Sequence, residues 1–180
     1  MKTKKINLSI TGCLGRMGQQ LIKSASKDSR FKISSLTENK IQRKKILGKI
    51  IGGYYPYNYE LDILQILEKF EKRKYIITLP RIRKNSQMSF YQWSKNDPLA
   101  INKFGIPEPI SKMVKYPDVL LVPIVAFDKN FNRIGYGGGF YDRYIKKVRK
   151  RKKVLTIGFA YSFQKVKKIP TNNYDIGLDF

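Results

Sequence analysis

The sequence predicts an α/β protein, a three-layer sandwich in which a mostly parallel sheet is covered by helices on both faces. Three features point there. The apolar, β-branched runs Tyr75–Leu79 (YIITL), Asp118–Phe127 (DVLLVPIVAF) and Val154–Phe159 (VLTIGF) lack polar alternation, which is the pattern of strands buried on both faces. Helical periodicity separates such runs, most clearly in Leu61–Phe70 (LDILQILEKF), with apolar residues at 61, 63, 64, 66, 67 and 70. Glycine clusters stand where strands give way to helices. Strands alternating with helices imply parallel pairing through crossovers.

Taken in order, Lys5–Thr11 (KINLSIT) reads as the first strand and breaks into Gly12, Gly15 and Gly18. A helical face follows through Met17, Leu21, Ile22 and Ala25, then a second strand, Phe31–Leu36, with Glu38 just past its end. Glycines three apart at a strand-to-helix turn let a backbone approach a pyrophosphate, and the helix N-terminus adds N–H donors. An acid about 20 residues further on can hold a ribose hydroxyl. From Lys40 the character changes. Ile46–Ile51 reads as a strand opening into an aromatic loop, Gly52–Glu60 (GGYYPYNYE). After the Leu61–Phe70 helix come Tyr75–Leu79, halted by Pro80, and Met88–Trp93 as a short edge-like strand. Asp118–Phe127 is the strongest core strand, with Pro123 where sheet pairing must end or bulge. Val154–Phe159 completes the set. The expected division is residues 1–44 and 45–180, with a junction near Lys40–Lys45.

Composition narrows the chemistry. The 180 residues are 42 % hydrophobic and 13 % aromatic, which argues against disorder and for one domain-sized core. Cys13 is the sole cysteine and there is no histidine, so Cys/His zinc sites, Ser-His-Asp triads and histidine general bases are excluded. Apolar runs such as Val119–Phe127 are shorter than the roughly 20 residues of a membrane span, and no secretory signal opens the chain. A reduced, cytoplasmic, soluble protein is expected. The net charge of +24 invites a nucleic-acid reading. However, 27 of the 37 cations are Lys, the poorer bidentate reader of phosphate and guanine. The densest patch, Lys146–Lys153 (KKVRKRKK), reads as the solvated C-terminal end of a helix, where cations suit the dipole. The balance favours a phosphate-bearing substrate over a nucleic acid.

The sharpest chemical signal runs from Arg133 to Arg143 (RIGYGGGFYDR). Four glycines in five positions, Gly135, Gly137, Gly138 and Gly139, lie between a buried strand and a helix and form a backbone nest for phosphates. Arg133 and Arg143 flank the nest as charge-assisted donors. Asp142, at the helix entry, can hold a hydrated Mg²⁺ beside the phosphates. A ligand-free glycine turn is the competing reading, and the two arginines with the Tyr-Asp step count against it. The spacing is not that of a Walker A loop.

These residues resemble the 5-formyltetrahydrofolate cyclo-ligase family. The similar blocks, in order, are Tyr55-Pro56 with Glu60; Met88-Ser89-Phe90 with Trp93; Phe104-Gly105-Ile106 with Glu108-Pro109; Pro117-Asp118 through Arg143; and Pro170 with Tyr174-Asp175. They cover about residues 47–180. The resemblance implies ATP-dependent closure of 5-formyltetrahydrofolate to 5,10-methenyltetrahydrofolate with Mg²⁺, through a phosphorylated formyl group. It implies that Arg133, Gly135, Tyr136, Gly137, Gly138, Gly139, Phe140 and Tyr141 bind ATP. Arg143 and Tyr141 would act in catalysis, and Asp142 and Asp175 would hold the metal. Tyr55, Glu60, Trp93, Gly138 and Tyr141 would line the folate pocket, although a plain core role suits Trp93 as well. Glu108 fits better as a residue that fixes its loop. Tyr59 and Tyr174 replace the family's usual Gly and His, and neither change removes a charge. The expected partners are the two small-molecule substrates, with no membrane or nucleic acid, and the expected state is a monomer.

Residues 6–40 depart from that family and resemble the nucleotide-binding start of 4-hydroxy-tetrahydrodipicolinate reductase, through Gly12, Gly15, Arg16, Met17, Gly18 and Glu38. That enzyme's catalytic segments have no counterpart, so reductase activity is not expected. The cyclo-ligase family normally supplies a basic helix here and adds one more strand after the position of Phe180. Two other functions stay open: a non-catalytic nucleotide-binding chimera and a basic nucleic-acid-binding module. The latter calls for an open Arg/aromatic face, the leading reading for a deep pocket.

Overall fold

The structure is a computed structural model describing residues 6–11, 23, 31–37, 48–83 and 87–180. The chain divides into two compact units, Met1–Lys45 and Ile46–Phe180. In the first, β1 (Ile6–Thr11) and β2 (Phe31–Thr37) pair in parallel, Ile6 opposite Phe31 and Thr11 opposite Thr37. Parallel neighbours need a crossover connection, and Lys23 within it is helical. The glycine loop at 12–18, Glu38 and the expected junction lie outside the described residues.

The second unit is built on a six-stranded sheet. Its strands are β3 (Ile50–Gly52), β4 (Ile76–Arg83), β5 (Gln87–Gln92), β8 (Val114–Lys115), β9 (Val119–Pro123) and β12 (Leu155–Phe159), in the order β12-β9-β3-β4-β5-β8. The first four in that order run parallel, whereas β5 and β8 are antiparallel additions. Helix α1 (Leu64–Lys72) connects β3 to β4, and α2 (Phe140–Arg149) precedes β12. Two short hairpins complete the unit: β6 (Leu99–Ile101) with β7 (Pro107–Pro109), and β10 (Ala126–Phe127) with β11 (Arg133–Ile134).

The period-2 rule of a strand sorts the core into two layers. Val119 and Leu121 of β9 pack with Ile63 and Leu67 of the α1 region, together with Ile51, Ile77, Leu79 and Trp93. Leu120 and Val122 pack on the other face with Tyr144, Ile145 and Val148 of α2 and with Phe90. One helix therefore covers each face, as the unbroken apolar runs require. Burying a leucine such as Leu67 contributes about 1.5–3 kcal/mol. The approach is close: a Cβ on Gly53 would stand 2.6 Å from the Leu67 side chain.

Four local expectations are corrected. The helix starts at Leu64 rather than Leu61. Tyr75–Leu79 does not stop at Pro80, because β4 runs through it to Arg83. Thr78 O accepts from Gly53 N–H and Ile77 O from Trp93 N–H, so even-numbered residues of β4 turn their backbone groups toward β3. That strand ends opposite Thr78, and at Pro80 no ladder bond is lost. Met88–Trp93 is not the edge of the sheet, since β8 pairs outside it. Likewise Asp118–Phe127 is two strands; pairing with β12 ends at Pro123, and β10 turns away to meet β11.

Candidate active site

In doubly wound sheets, ligands bind beyond the carboxyl ends of the strands where the chain departs in opposite directions. Here β3 sends the chain to β4 on one side, while β9 leads to β12 on the other. A cavity of about 940 Å³ opens there, lined by Tyr54 and Tyr55 after β3, Pro123 to Val125 after β9, and Pro80 and Ile82 of β4. That volume is near the top of the range for one small ligand.

One wall is the glycine loop. Gly135 through Asp142 all line the cavity, with Arg133 and Ile134 before them. Gly137 has φ +83° and Gly139, the N-cap of α2, has φ +61°, the left-handed steps that turn successive N–H groups into a nest. A Cβ added at Gly135 or Gly137 would meet nothing within 4 Å. The space over these two residues is open to a ligand. Arg133 donates from Nη1 to Ile176 O at 2.6 Å and from Nη2 to Asp142 Oδ1 at 3.0 Å. Asp142 Oδ1 also accepts from Ile176 N–H at 3.1 Å. This closed ring of bonds brings Asp175 onto the same wall as Asp142.

The loop's entry is tied down by Asp128. Its carboxylate, 1 % exposed, accepts from the N–H groups of Asn130, Asn132 and Ile169 and from Asn132 Nδ2 at 2.8–3.2 Å. It thereby fixes the turn between β10 and β11 and the segment leading to Pro170, another cavity residue.

The opposite wall is aromatic and carries Glu60. Its Oε2 accepts from Tyr57 N–H at 2.9 Å, and burial pushes its carboxyl up to about 7 against that hydrogen bond. Tyr57 meets Tyr136 of the glycine loop edge-on, with ring centroids 6.0 Å apart. Tyr141 lines the cavity with a buried hydroxyl that has no hydrogen-bond partner among the described residues. Burial raises its ionisation well above the ordinary tyrosine value, so at neutral pH it is an unused donor. An unmet buried donor costs about 1–3 kcal/mol, which a ligand acceptor would offset.

Two expected site residues lie elsewhere. Trp93, 8 % exposed, is packed in the α1-side core, with its indole N–H donating to Asp97 O at 3.4 Å. It is not among the residues lining the cavity. Arg143 turns back on its own loop, Nη2 donating to Gly138 O at 2.8 Å, with its guanidinium 5.2 Å from the Phe140 ring centroid. The structure adds Tyr54, Asn102 and Lys103 to the wall. Of these, only Asn102 had a local signal, as the start of an Asx turn before Phe104-Gly105.

For a metal, the described residues hold no group of three or more His, Cys, Asp and Glu side chains. A hydrated Mg²⁺ needs only one or two carboxylates alongside phosphate oxygens. Asp142 and Asp175 satisfy that requirement. Asp175 Oδ2 accepts from Asn172 N–H at 2.8 Å, so among the described residues one oxygen of each carboxylate carries no hydrogen bond.

Fold and site together define an α/β domain in which a glycine nest and an aromatic slot share one cavity. The chain belongs to the 5-formyltetrahydrofolate cyclo-ligase family, whose model matches residues 17–180. It is 33 % identical over 138 residues to the 5-formyltetrahydrofolate cyclo-ligase of Haemophilus influenzae, covering 72 % of this chain and 73 % of that one. The NMR structure of Aquifex aeolicus 5,10-methenyltetrahydrofolate synthetase has a TM-score of 0.63 and 32 % identity, covering 78 % of this chain and 71 % of that one. The chain is also 47 % identical over 89 residues to the 4-hydroxy-tetrahydrodipicolinate reductase of Pelagibacter ubique, but spans only 34 % of that reductase. No helix among the described residues is long and apolar enough to cross a membrane.

Proposed function

We propose that this chain closes 5-formyltetrahydrofolate to 5,10-methenyltetrahydrofolate at the expense of ATP, releasing ADP and phosphate. One observation carries the reading: the glycine nest and the Glu60 wall face a single cavity, so a γ-phosphoryl group and a formyl group can meet. The formyl oxygen attacks the γ-phosphorus and ADP leaves. N10 then attacks the activated formyl carbon and gives up its proton to solvent or to the departing phosphate, which leaves with the former formyl oxygen. Such chemistry rests mainly on positioning and charge neutralisation, and a proton lost to solvent or phosphate needs no histidine base, which suits a chain without histidine.

Gly135 to Phe140 bind the phosphates through their backbone, and Tyr141 donates its hydroxyl to the charge developing at the reacting oxygens. Arg133 holds Asp142, while Arg143 braces the loop through Gly138 O. Glu60 and Tyr55 take the pterin. Asp142 and Asp175 would hold Mg²⁺, which neutralises charge on the phosphoryl group when bound. A cytoplasmic location and a monomeric state belong to the same proposal; the lone cysteine supports the first. Residues 1–44 are proposed to be a reductase-like segment without reductase activity, in keeping with the one-third of that enzyme that is matched. The test mixes the chain with ATP, Mg²⁺ and 5-formyltetrahydrofolate and follows methenyl absorbance. Product proportional to ADP supports the reading; ADP without product, or neither, overturns it.

A further inference from the structure

The tip of the β6–β7 hairpin, Asn102 to Ile106, forms a third wall of the cavity, apart from the glycine nest and the Glu60 loop. It carries Lys103 and Phe104. This tip is built rather than loose. Asn102 Oδ1 accepts from the N–H groups of Phe104 and Ile106 at 2.8 and 3.1 Å, and Gly105 takes φ +78° to close the turn. Asn102 Nδ2 donates to Glu108 Oε1 at 2.8 Å, which also accepts Ile82 N–H at 2.8 Å. Ile82 lies on β4 past the end of β3, so Glu108 supplies the acceptor that a neighbouring strand otherwise would. The hairpin tip is thus fastened directly to the central sheet.

Among the described residues, two cations line the cavity, Arg133 and Lys103. Arg133 is 6 % exposed and committed to Asp142 and Ile176. Lys103 is exposed and forms no ion pair among the described residues; its Nζ lies 5.0 Å from the Phe104 ring centroid. The Phe104 ring is 46 % exposed. A fixed turn therefore presents a half-exposed aromatic ring and, beside it, an ammonium group with no carboxylate partner among the described residues. A ligand that answers both has a flat ring followed by a carboxylate. We propose that Lys103 and Phe104 form the subsite for the aminobenzoyl-glutamate end of the folate, the ring covering Phe104 and a glutamyl carboxylate pairing with Lys103. The inference rests on the folate reading above, in which the pterin and the phosphates occupy the other two walls.

The experiment compares 5-formyltetrahydrofolate with 5-formyltetrahydropteroate, which lacks the glutamate. Binding is measured by calorimetry without ATP, on the wild-type chain and on Lys103→Ala, Lys103→Arg and Lys103→Glu, each first shown to melt like the wild type. Lys103→Ala is expected to weaken binding of the glutamate-bearing ligand about three- to tenfold, the scale of one partly solvated charge-assisted bond. Lys103→Glu should weaken it further and Lys103→Arg should keep most of it. All four proteins should bind the pteroate alike, and KM for ATP should not move. Equal losses on both ligands, no loss on either, or a rise in KM for ATP alone would overturn the subsite. A wild-type chain that binds neither ligand would overturn the folate reading itself.

Discussion

Arg133 Nη2 stands 3.0 Å from Asp142 Oδ1, with 6 % of the arginine side chain and 22 % of the aspartate exposed. The ring through the backbone of Ile176 makes this pair the joint between the glycine loop, α2 and the segment that carries Asp175. The arginine at the head of the motif thus acts first on the protein's own carboxylate. Asp142 supplies the counter-charge that a buried guanidinium requires.

Asp142→Asn should consequently do two things. Turnover should fall about a hundredfold or more, the scale of losing a preorganised electrostatic group at a phosphoryl-transfer site. Stability should also fall, by about 1–3 kcal/mol, less than for a fully buried pair because the carboxylate is partly solvated. Asparagine keeps the oxygen that accepts Ile176 N–H, so the fold should survive. Methenyl formation and a urea titration check both; a near-wild-type rate would refute the assignment.

Glu60 gives a pH prediction. Burial lifts its carboxyl to about 7, above its ordinary value in an unfolded chain. The native state therefore binds the proton more tightly, and stability is greatest at low pH and declines as pH rises from about 4.5 through about 7. Without histidine, few other side chains titrate in that window. The urea midpoint should be lower at pH 7.5 than at pH 5.5, and Glu60→Gln should remove most of the difference. An unchanged difference in the variant would show that the carboxyl is not the cause. The same variant should weaken folate binding more than ATP binding.

Gly137→Ala probes the nest. At φ +83° an alanine costs about 1–2 kcal/mol of backbone strain, and its methyl enters space that no protein atom fills. KM for ATP should rise about tenfold or more, with KM for the folate changed much less. Equal effects on both would indicate a disordered loop rather than a blocked phosphate site.

Asp128→Asn should be among the most destabilising single-atom changes in the molecule. Four N–H donors converge on the carboxylate, and the new amide must face at least one of them donor to donor. A loss of about 2–4 kcal/mol is expected, read as a drop in melting temperature. A change under 0.5 kcal/mol would mean that those bonds are not made together.

Several features were legible in the residues themselves. Unbroken apolar runs identified strands covered on both faces, and Val119 to Val122 do divide their side chains between two helices. The glycine spacing at 135–139 announced a backbone nest, since only glycine takes left-handed steps cheaply. What only the tertiary structure decided is who meets whom. Trp93 and Tyr54 are both aromatic and both buried in the α1-side core, yet only Tyr54 also reaches the cavity wall. Pro80 is a strand breaker by local rule, and it sits inside β4 because β3 ends two residues earlier. Glu108 looks like a charged loop residue, but Ile82 N–H, 26 positions away, determines its role. Lys103 is one lysine among 27 until a hairpin puts it on the cavity wall. Periodicity reports whether a side chain is buried; partners far apart in the chain are chosen by packing, which local sequence does not encode.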